Sequence, residues 1–285
     1  MKTWQNIVTH KTFRFFDHTK EDSIFQVNNN AITSFALDDA LTLAVSEGSS
    51  EPIVRLWSHD ETIVLGIPDS RLPYLEEGLD FIKTHDYKAI VRNSGGLAVA
   101  LDRGVLNLSI ILPDVKQVSI DDGFSAMYQM IRHMFLDLTD EIKAYEIVGS
   151  YCPGDYDLSI DGIKFAGISQ RRVKDAAAIQ IYLDIEGNSF ERASLVKQFY
   201  DISLRGEETK FTYPDVNPGV LGSLSKLLKV DLTVEDVINR VERSIGQLSD
   251  EITRRPLSNQ EHEYFIKRHE QMIKRNERVG IYDPS

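Results

Sequence analysis

Apolar residues recur at helical spacing over residues 34–45, where Phe35, Leu37, Ala40, Leu41 and Ala44 share one side and Gly48 follows as a stop. The period then shortens. Ile53-Val54-Arg55-Leu56-Trp57 and Thr62-Ile63-Val64-Leu65 read as strands around the turn His59-Asp60-Glu61, and residues 68–83 as a helix after an opening turn. Three β-rich pieces follow at 89–92, 97–101 and 105–112, with Asp102-Arg103-Gly104 turning the chain between the last two. In the third piece Leu106, Leu108 and Ile110 alternate with Asn107 and Ser109, which gives one apolar and one polar face. Residues 121–138 form an amphipathic helix whose stripe of Phe124, Met127, Tyr128, Ile131, Met134, Phe135 and Leu138 is assigned to core packing, with no ligand role. Residues 176–183 read as another buried strand.

The last third is more charged and helical. Thr233 with Asp236, and Ser258 with Glu261, have the spacing of capping boxes, and Gly280 can terminate the final helix. Residues 1–30 read as an irregular lead-in, and a soft boundary is expected at the polar stretch 206–209. A β-rich first two-thirds with a helical tail predicts an α+β core carrying an appended helical portion.

Composition narrows the function classes. An apolar fraction of 42% in 285 residues supports a large core without staples. A single cysteine excludes an intrachain disulfide and any multi-cysteine metal site, and fits a reducing cytoplasm. A net charge of −12 without a basic stripe argues against nucleic acid as a partner. No run approaches a membrane span, and the first twenty residues lack the apolar region of a signal peptide. The seven histidines show no metal-ligand spacing, and His262 and His269 read as a solvated helix face.

Residues 149–167 concentrate the chemistry. Cys152 stands in the turn sequence Gly149-Ser150-Tyr151-Cys152-Pro153-Gly154-Asp155, and turns run over surfaces. Ile160-Asp161-Gly162-Ile163 is a two-residue hairpin of the type I′ class. Its register pairs Ile160 with Ile163, Ser159 with Lys164, Leu158 with Phe165 and Asp157 with Ala166. Lys164 then projects from the polar side, with Asp157 placed to orient it. A thiol attacks acyl groups only as thiolate, and a nearby ammonium favours that form. The plain alternatives are a solvated strand lysine and a small buried cysteine.

Two motifs in fixed order resemble the lipoate-protein ligase, biotin ligase and octanoyltransferase superfamily. One is Val91-Arg92-Asn93-Ser94-Gly95-Gly96-Leu97-Ala98-Val99 with Asp102-Arg103-Gly104-Val105-Leu106-Asn107-Leu108-Ser109. The other runs from Asp157 through Lys164 to Gly167-Ile168-Ser169-Gln170-Arg171. The resemblance implies an α+β catalytic domain over 30–250, with mixed β-sheets flanked by helices, and a helical extension over 251–285 packed on it. It implies that Arg92, Ser94, Gly95, Gly96, Asn107, Asp157, Ala166, Gly167, Ser169 and Gln170 contact the acyl substrate. Leu97 replaces the third consecutive glycine of the ligases, a departure that weighs against adenylate binding.

The turn bearing Cys152 most closely resembles the Firmicute enzymes that move an octanoyl group from the glycine cleavage H protein to the lipoyl domains of 2-oxoacid dehydrogenases. That resemblance implies ping-pong transfer through a Cys152 thioester. Lys164 would favour the thiolate and help to stabilise the oxyanion, beside backbone N–H groups at Gly95 and Gly96. No cofactor is needed, because donor and product are both lysine amides. Arg171, Arg172 and Lys174 are the expected docking patch for acidic carriers. The alternatives are an octanoyltransferase dependent on acyl carrier protein and an ATP-dependent lipoate ligase.

Overall fold

The computed structural model describes residues 4–20, 30–113 and 115–281. Residues 1–3 and 21–29 of the expected lead-in, and the last four residues of the expected extension, lie outside the described residues. Along the chain, α1 (Trp4–Val8) and β1 (Thr12–His18) precede α2 (Ala31–Ser46), which Asn30 caps by accepting the Ile32 amide at 2.8 Å. Then come β2 (Ile53–Trp57), β3 (Thr62–Leu65), α3 (Leu75–Thr84), β4 (Lys88–Val91), β5 (Val99–Leu101) and β6 (Val105–Leu112). α4 (Ile120–Met134) leads to β7 (Lys143–Ala144), β8 (Asp157–Ile160), β9 (Ile163–Val173) and β10 (Ala176–Asp184). The remainder is α5 (Ser189–Leu204), α6 (Leu224–Leu228), α7 (Val234–Leu248), β11 (Glu251–Thr253) and α8 (Asn259–Glu277).

The strands form two sheets. The larger has the order β11-β1-β2-β6-β10-β9-β8-β7 and the smaller β4-β3-β5. Both are mixed: β1 runs parallel to β2 and β11, β3 runs parallel to β4, and the other neighbours are antiparallel. The fold is therefore α+β, a mixed sheet flanked by helices. Alternation on the central strands separates two faces. Val54, Leu56, Leu106, Leu108 and Ile110 pack against Met127, Met130 and Ile131 of α4 and Val237 and Val241 of α7. Ile53 and Ile111 face Leu37, Leu41 and Val45 of α2. Among the described residues no helix is long and apolar enough to cross a membrane.

Four expectations change. The lead-in contains β1, a strand buried between β2 and β11 rather than an irregular segment. Its Arg14 is completely buried and pairs with Glu261 of α8 at 2.5 Å, a partner 247 residues away that no local pattern announces. Strands 53–57 and 62–65 do not pair with each other: β2 joins the large sheet and β3 the small one. Between them His59 is buried and accepts the Trp57 indole N–H at 3.1 Å, so the linking residues cross between layers. The helix over 121–138 stops at Met134, which leaves Leu138 on the surface.

The tail is not purely helical either, since β11 adds a strand to the large sheet. Both expected capping boxes are present, at Thr233 with Asp236 and at Ser258 with Glu261. α8 lies along α2, where His269 meets the Thr33 hydroxyl at 3.3 Å. At its far end the Asn276 side chain accepts the Val91 amide (2.6 Å) and donates to the Val91 carbonyl (3.2 Å). This carboxamide completes the outer edge of β4 as a neighbouring strand would.

Candidate active site

The hairpin between β8 and β9 turns at Asp161 (φ +51°) and Gly162 (φ +77°), the two left-handed residues of the expected turn. Ile160 faces Ile163 and Ser159 faces Lys164, as the register predicts. Beyond that pair a bulge intervenes. Leu158 faces Ala166 and Asp157 faces Gly167, one residue further than expected, and Phe165 is the inserted residue. The inserted ring packs into the core with Leu158 and Ile160.

Lys164 is fully buried, so the reading of a solvated strand lysine is excluded. Its ammonium lies 2.8 Å from Asp157 Oδ1 and donates to Ser150 Oγ (3.1 Å), Tyr151 O (2.9 Å) and Cys152 O (3.0 Å). Asp157 also accepts from the Ile147 amide and the Ser150 hydroxyl, each at 3.3 Å. Burial pushes the Asp157 carboxyl up, and the Lys164 ammonium pulls it back down. The lysine is thus a clamp on the backbone of the cysteine turn. It bonds the carbonyl of Cys152, whereas the sequence placed it against the thiol.

The turn itself is strained. Gly149 has φ +82°, and Cys152, a residue with a Cβ, has φ +45°. The conformation is held from several sides: Ser150 N donates to Ile147 O, Asn217 N donates to Gly149 O, and Lys164 takes the carbonyls of Tyr151 and Cys152.

The sulfur faces the small sheet. It accepts the Leu97 amide at 3.2 Å and lies 3.5 Å from the Arg92 guanidinium. The cation in contact with sulfur is therefore Arg92, which the sequence assigned to acyl contact. Arg92 follows β4, and its own amide donates to Leu65 O of β3, so the small sheet aims it. The same guanidinium donates to Leu97 O at 3.0 Å, and its Nε has no partner among the described residues. Gly96 makes this approach possible. It has φ +98°, and a Cβ there would lie 2.2 Å from the guanidinium and 2.8 Å from the sulfur.

A cavity of about 260 Å³ opens beside the thiol. Gly95, Gly96, Asn107, Asp157, Gly167, Ser169 and Gln170 line it with Arg92 and Cys152, so these expected contacts converge. Ser94 and Ala166 do not line it: Ser94 is buried, and the bulge turns Ala166 into the core. The apolar wall comes from Phe35, Trp57, Val99, Leu101, Phe124 and Tyr182, none of which the sequence assigned to substrate contact. Phe124 corrects the assignment of its whole stripe to packing, since it sits at the start of α4 beside the opening. In sequence these residues carry no signal that separates a channel wall from a core.

Beneath the cavity runs a buried polar chain. Arg55 donates to Asp38 Oδ1 (2.8 Å) and to His18 Nδ1 (3.0 Å), and its guanidinium stacks 4.2 Å above the Trp57 ring. Gln180, a cavity residue, donates to the other Asp38 oxygen at 2.6 Å and receives the Ser169 hydroxyl at 3.4 Å. Burial, with Arg55 beside it, pushes the His18 ring down to about 3, so it stays neutral as an acceptor.

The residues of the expected docking patch also make bonds within the fold. Arg171 makes a two-pronged pair with Asp39 (2.8 and 3.0 Å), Arg172 donates to Val115 O and Val118 O, and Lys174 pairs with Glu47 at 2.6 Å. These bonds tie the end of β9 to α2 and to the segment before α4, while the Lys174 side chain stays largely exposed.

Residues 30–246 match the family described as the lipoyl protein ligase A/B catalytic domain. The chain is 58% identical to an octanoyl-[GcvH]:protein N-octanoyltransferase of Oceanobacillus iheyensis over 277 residues, which is 97% of this chain and 99% of that protein. It is 43% identical to a lipoyl-[GcvH]:protein N-lipoyltransferase of Listeria monocytogenes, over 98% of this chain and 99% of that protein. A bi-partite lipoate protein ligase from Thermoplasma acidophilum superposes with a TM-score of 0.64 at 17% identity, covering 97% of this chain and 99% of that one. At that identity the last likeness concerns the fold alone.

Proposed function

From the chain's place in the lipoyl protein ligase A/B catalytic domain family, to which it belongs, we infer an acyltransferase that works through Cys152. It moves an octanoyl group from the lysine of the glycine cleavage H protein to the lysine of lipoyl domains in 2-oxoacid dehydrogenases, within the cytoplasm. Residues 30–250 supply the catalytic domain, and 251–285 brace it through β11 and α8. The observation that carries the reading is the strained Cys152 at the mouth of an apolar cavity, its sulfur against an N–H donor and a guanidinium.

The reaction divides into two halves. The Cys152 sulfur attacks the carbonyl carbon of the donor amide, a C–S bond forms, and the C–N bond breaks. The proton lost by the thiol leaves on the donor amine. In the second half the acceptor amine attacks the thioester, C–N forms, C–S breaks, and its proton returns to sulfur. The two halves balance without ATP, water or metal. Arg92 stabilises the thiolate before attack and has its unpartnered Nε available to the oxyanion. Lys164 and Asp157 hold the turn that aims the sulfur. The apolar wall senses the chain, at roughly 0.8 kcal/mol for each methylene it buries.

Intact mass spectrometry after incubation with octanoylated H protein tests this reading. A hydroxylamine-sensitive octanoyl adduct is expected on the wild-type protein and absent from Cys152→Ala. Transfer that proceeds in Cys152→Ala, or that demands ATP and free octanoate, overturns it. The similarity to the Listeria protein, whose printed name specifies lipoyl transfer, supports a second acyl group, and competition between octanoylated and lipoylated donors decides between them.

A further inference from the structure

The amide that meets the sulfur belongs to a short loop with unusually complete support. Two successive peptide units matter. The first joins Gly96 to Leu97 and presents its N–H to Cys152. Its carbonyl, Gly96 O, lies so close to Gly66 that a Cβ on that glycine would sit 1.9 Å from the oxygen. The second unit joins Leu97 to Ala98. Its carbonyl accepts from Arg92 at 3.0 Å, and its N–H donates to the Tyr200 hydroxyl at 3.1 Å.

Tyr200 is itself fixed. It is buried on α5, and its hydroxyl donates to Asp69 Oδ1 at 2.9 Å. The other oxygen of Asp69 accepts the Gly66 amide at 2.7 Å. Asp69 is completely buried. One carboxylate therefore grips both the segment on which Gly96 rests and the phenol that pins the following peptide. A buried carboxylate costs free energy unless its bonds are made, and here they are spent on the loop behind the nucleophile.

We propose that Tyr200, backed by Asp69, is a positioning residue that holds the Leu97 N–H on the Cys152 sulfur. The phenol touches neither sulfur nor cavity, so it acts only through the loop. Without it the Leu97–Ala98 unit loses the phenol bond on its N–H side, and the preceding N–H can rotate off the thiolate. The proposal rests on Cys152 being the nucleophile.

Tyr200→Phe tests it. The substitution deletes both hydroxyl bonds and keeps the ring between Phe199 and Tyr213. Cys152 is the only cysteine, so alkylation by iodoacetamide reads this one thiol. At neutral pH the alkylation rate is expected to fall about five-fold, the scale of one ordinary lost hydrogen bond. At strongly alkaline pH, where every thiol is ionised, it should be unchanged. The kcat for acyl transfer should fall by a similar factor while KM for the donor holds. Asp69→Asn, which keeps one acceptor oxygen, should move both readouts in the same direction by less, and it serves if Tyr200→Phe does not fold. Unchanged neutral-pH alkylation in a folded variant overturns the proposal, as does an equal fall at both pH values. Alkylation needs no acyl donor, so an absent octanoyl adduct would remove the functional reading without deciding this one.

Discussion

Cys152 is held by two regions built on opposite principles. The large sheet takes its backbone: Lys164, fully buried and ion-paired with Asp157, bonds the carbonyls of Tyr151 and Cys152. The small sheet takes its sulfur: Arg92 and the Leu97 amide approach through a gap that only glycine at position 96 leaves open. The first region is tightly bonded, and a buried charge there persists only because its partners are complete. Both regions line the cavity, but the second keeps a guanidinium nitrogen unspent. The lysine that looks catalytic in sequence secures conformation, and the arginine that looks like a substrate contact meets the sulfur.

Substitutions can pull these roles apart. Lys164→Met leaves Asp157 as an uncompensated buried carboxylate and releases a strained turn, so it should destabilise the fold by about 3–5 kcal/mol. Urea denaturation followed by circular dichroism measures that loss. A variant of native stability that has merely lost activity would return Lys164 to a purely chemical role. Arg92→Lys keeps the charge but loses the guanidinium, whose Nη2 meets both Leu97 O and the sulfur. We expect kcat to fall about ten- to a hundred-fold, with the denaturation midpoint near wild type. Single-turnover formation of the thioester separates this from slow product release.

The smallest effect, read per pH unit, concerns acid. His18, under the cavity on the large-sheet side, titrates near 6.5 when unfolded and is pushed down to about 3 when folded. Between those values the unfolded chain binds the extra proton, so stability rises with pH and is lost as pH falls from 6.5 towards 3. Burial raises Asp69 and Asp184 to about 6, and those groups act in the opposite sense between 3.8 and 6. The wild-type profile alone therefore mixes signs. Comparison with His18→Gln, which still offers Arg55 an acceptor, isolates the ring. The stability gap should change by about 1.4 kcal/mol per pH unit, and a gap constant with pH would show that the ring is not held neutral.

Much of this arrangement is legible in the sequence alone. Asp161-Gly162 specified the hairpin and its first two pairs, because a type I′ turn needs two residues at positive φ. The bulge at Phe165 was not legible, since nothing local distinguishes one extra residue from continued alternation, and it moved the Asp157 pairing by a position. Cys152 was recognisable from its turn, but which cation touches its sulfur depends on the small sheet folding over the large one. β1 was missed because Arg14, Asp17 and His18 break its apolar run, and their partners lie on α8, on β2 or in the following turn. Trp57, Phe124 and Tyr182 read as core because a wall facing an acyl chain has the same composition as a wall facing protein.

The clasp of Asn276 on Val91 bears on how the molecule tolerates trimming. Val91 is one step along the backbone from Arg92, so any shortening that removes this asparagine strips the β4 margin beside the cation on the sulfur. The bared N–H and C=O would then be available to another copy of the protein. Loss of turnover and self-association should set in together at that single point of truncation.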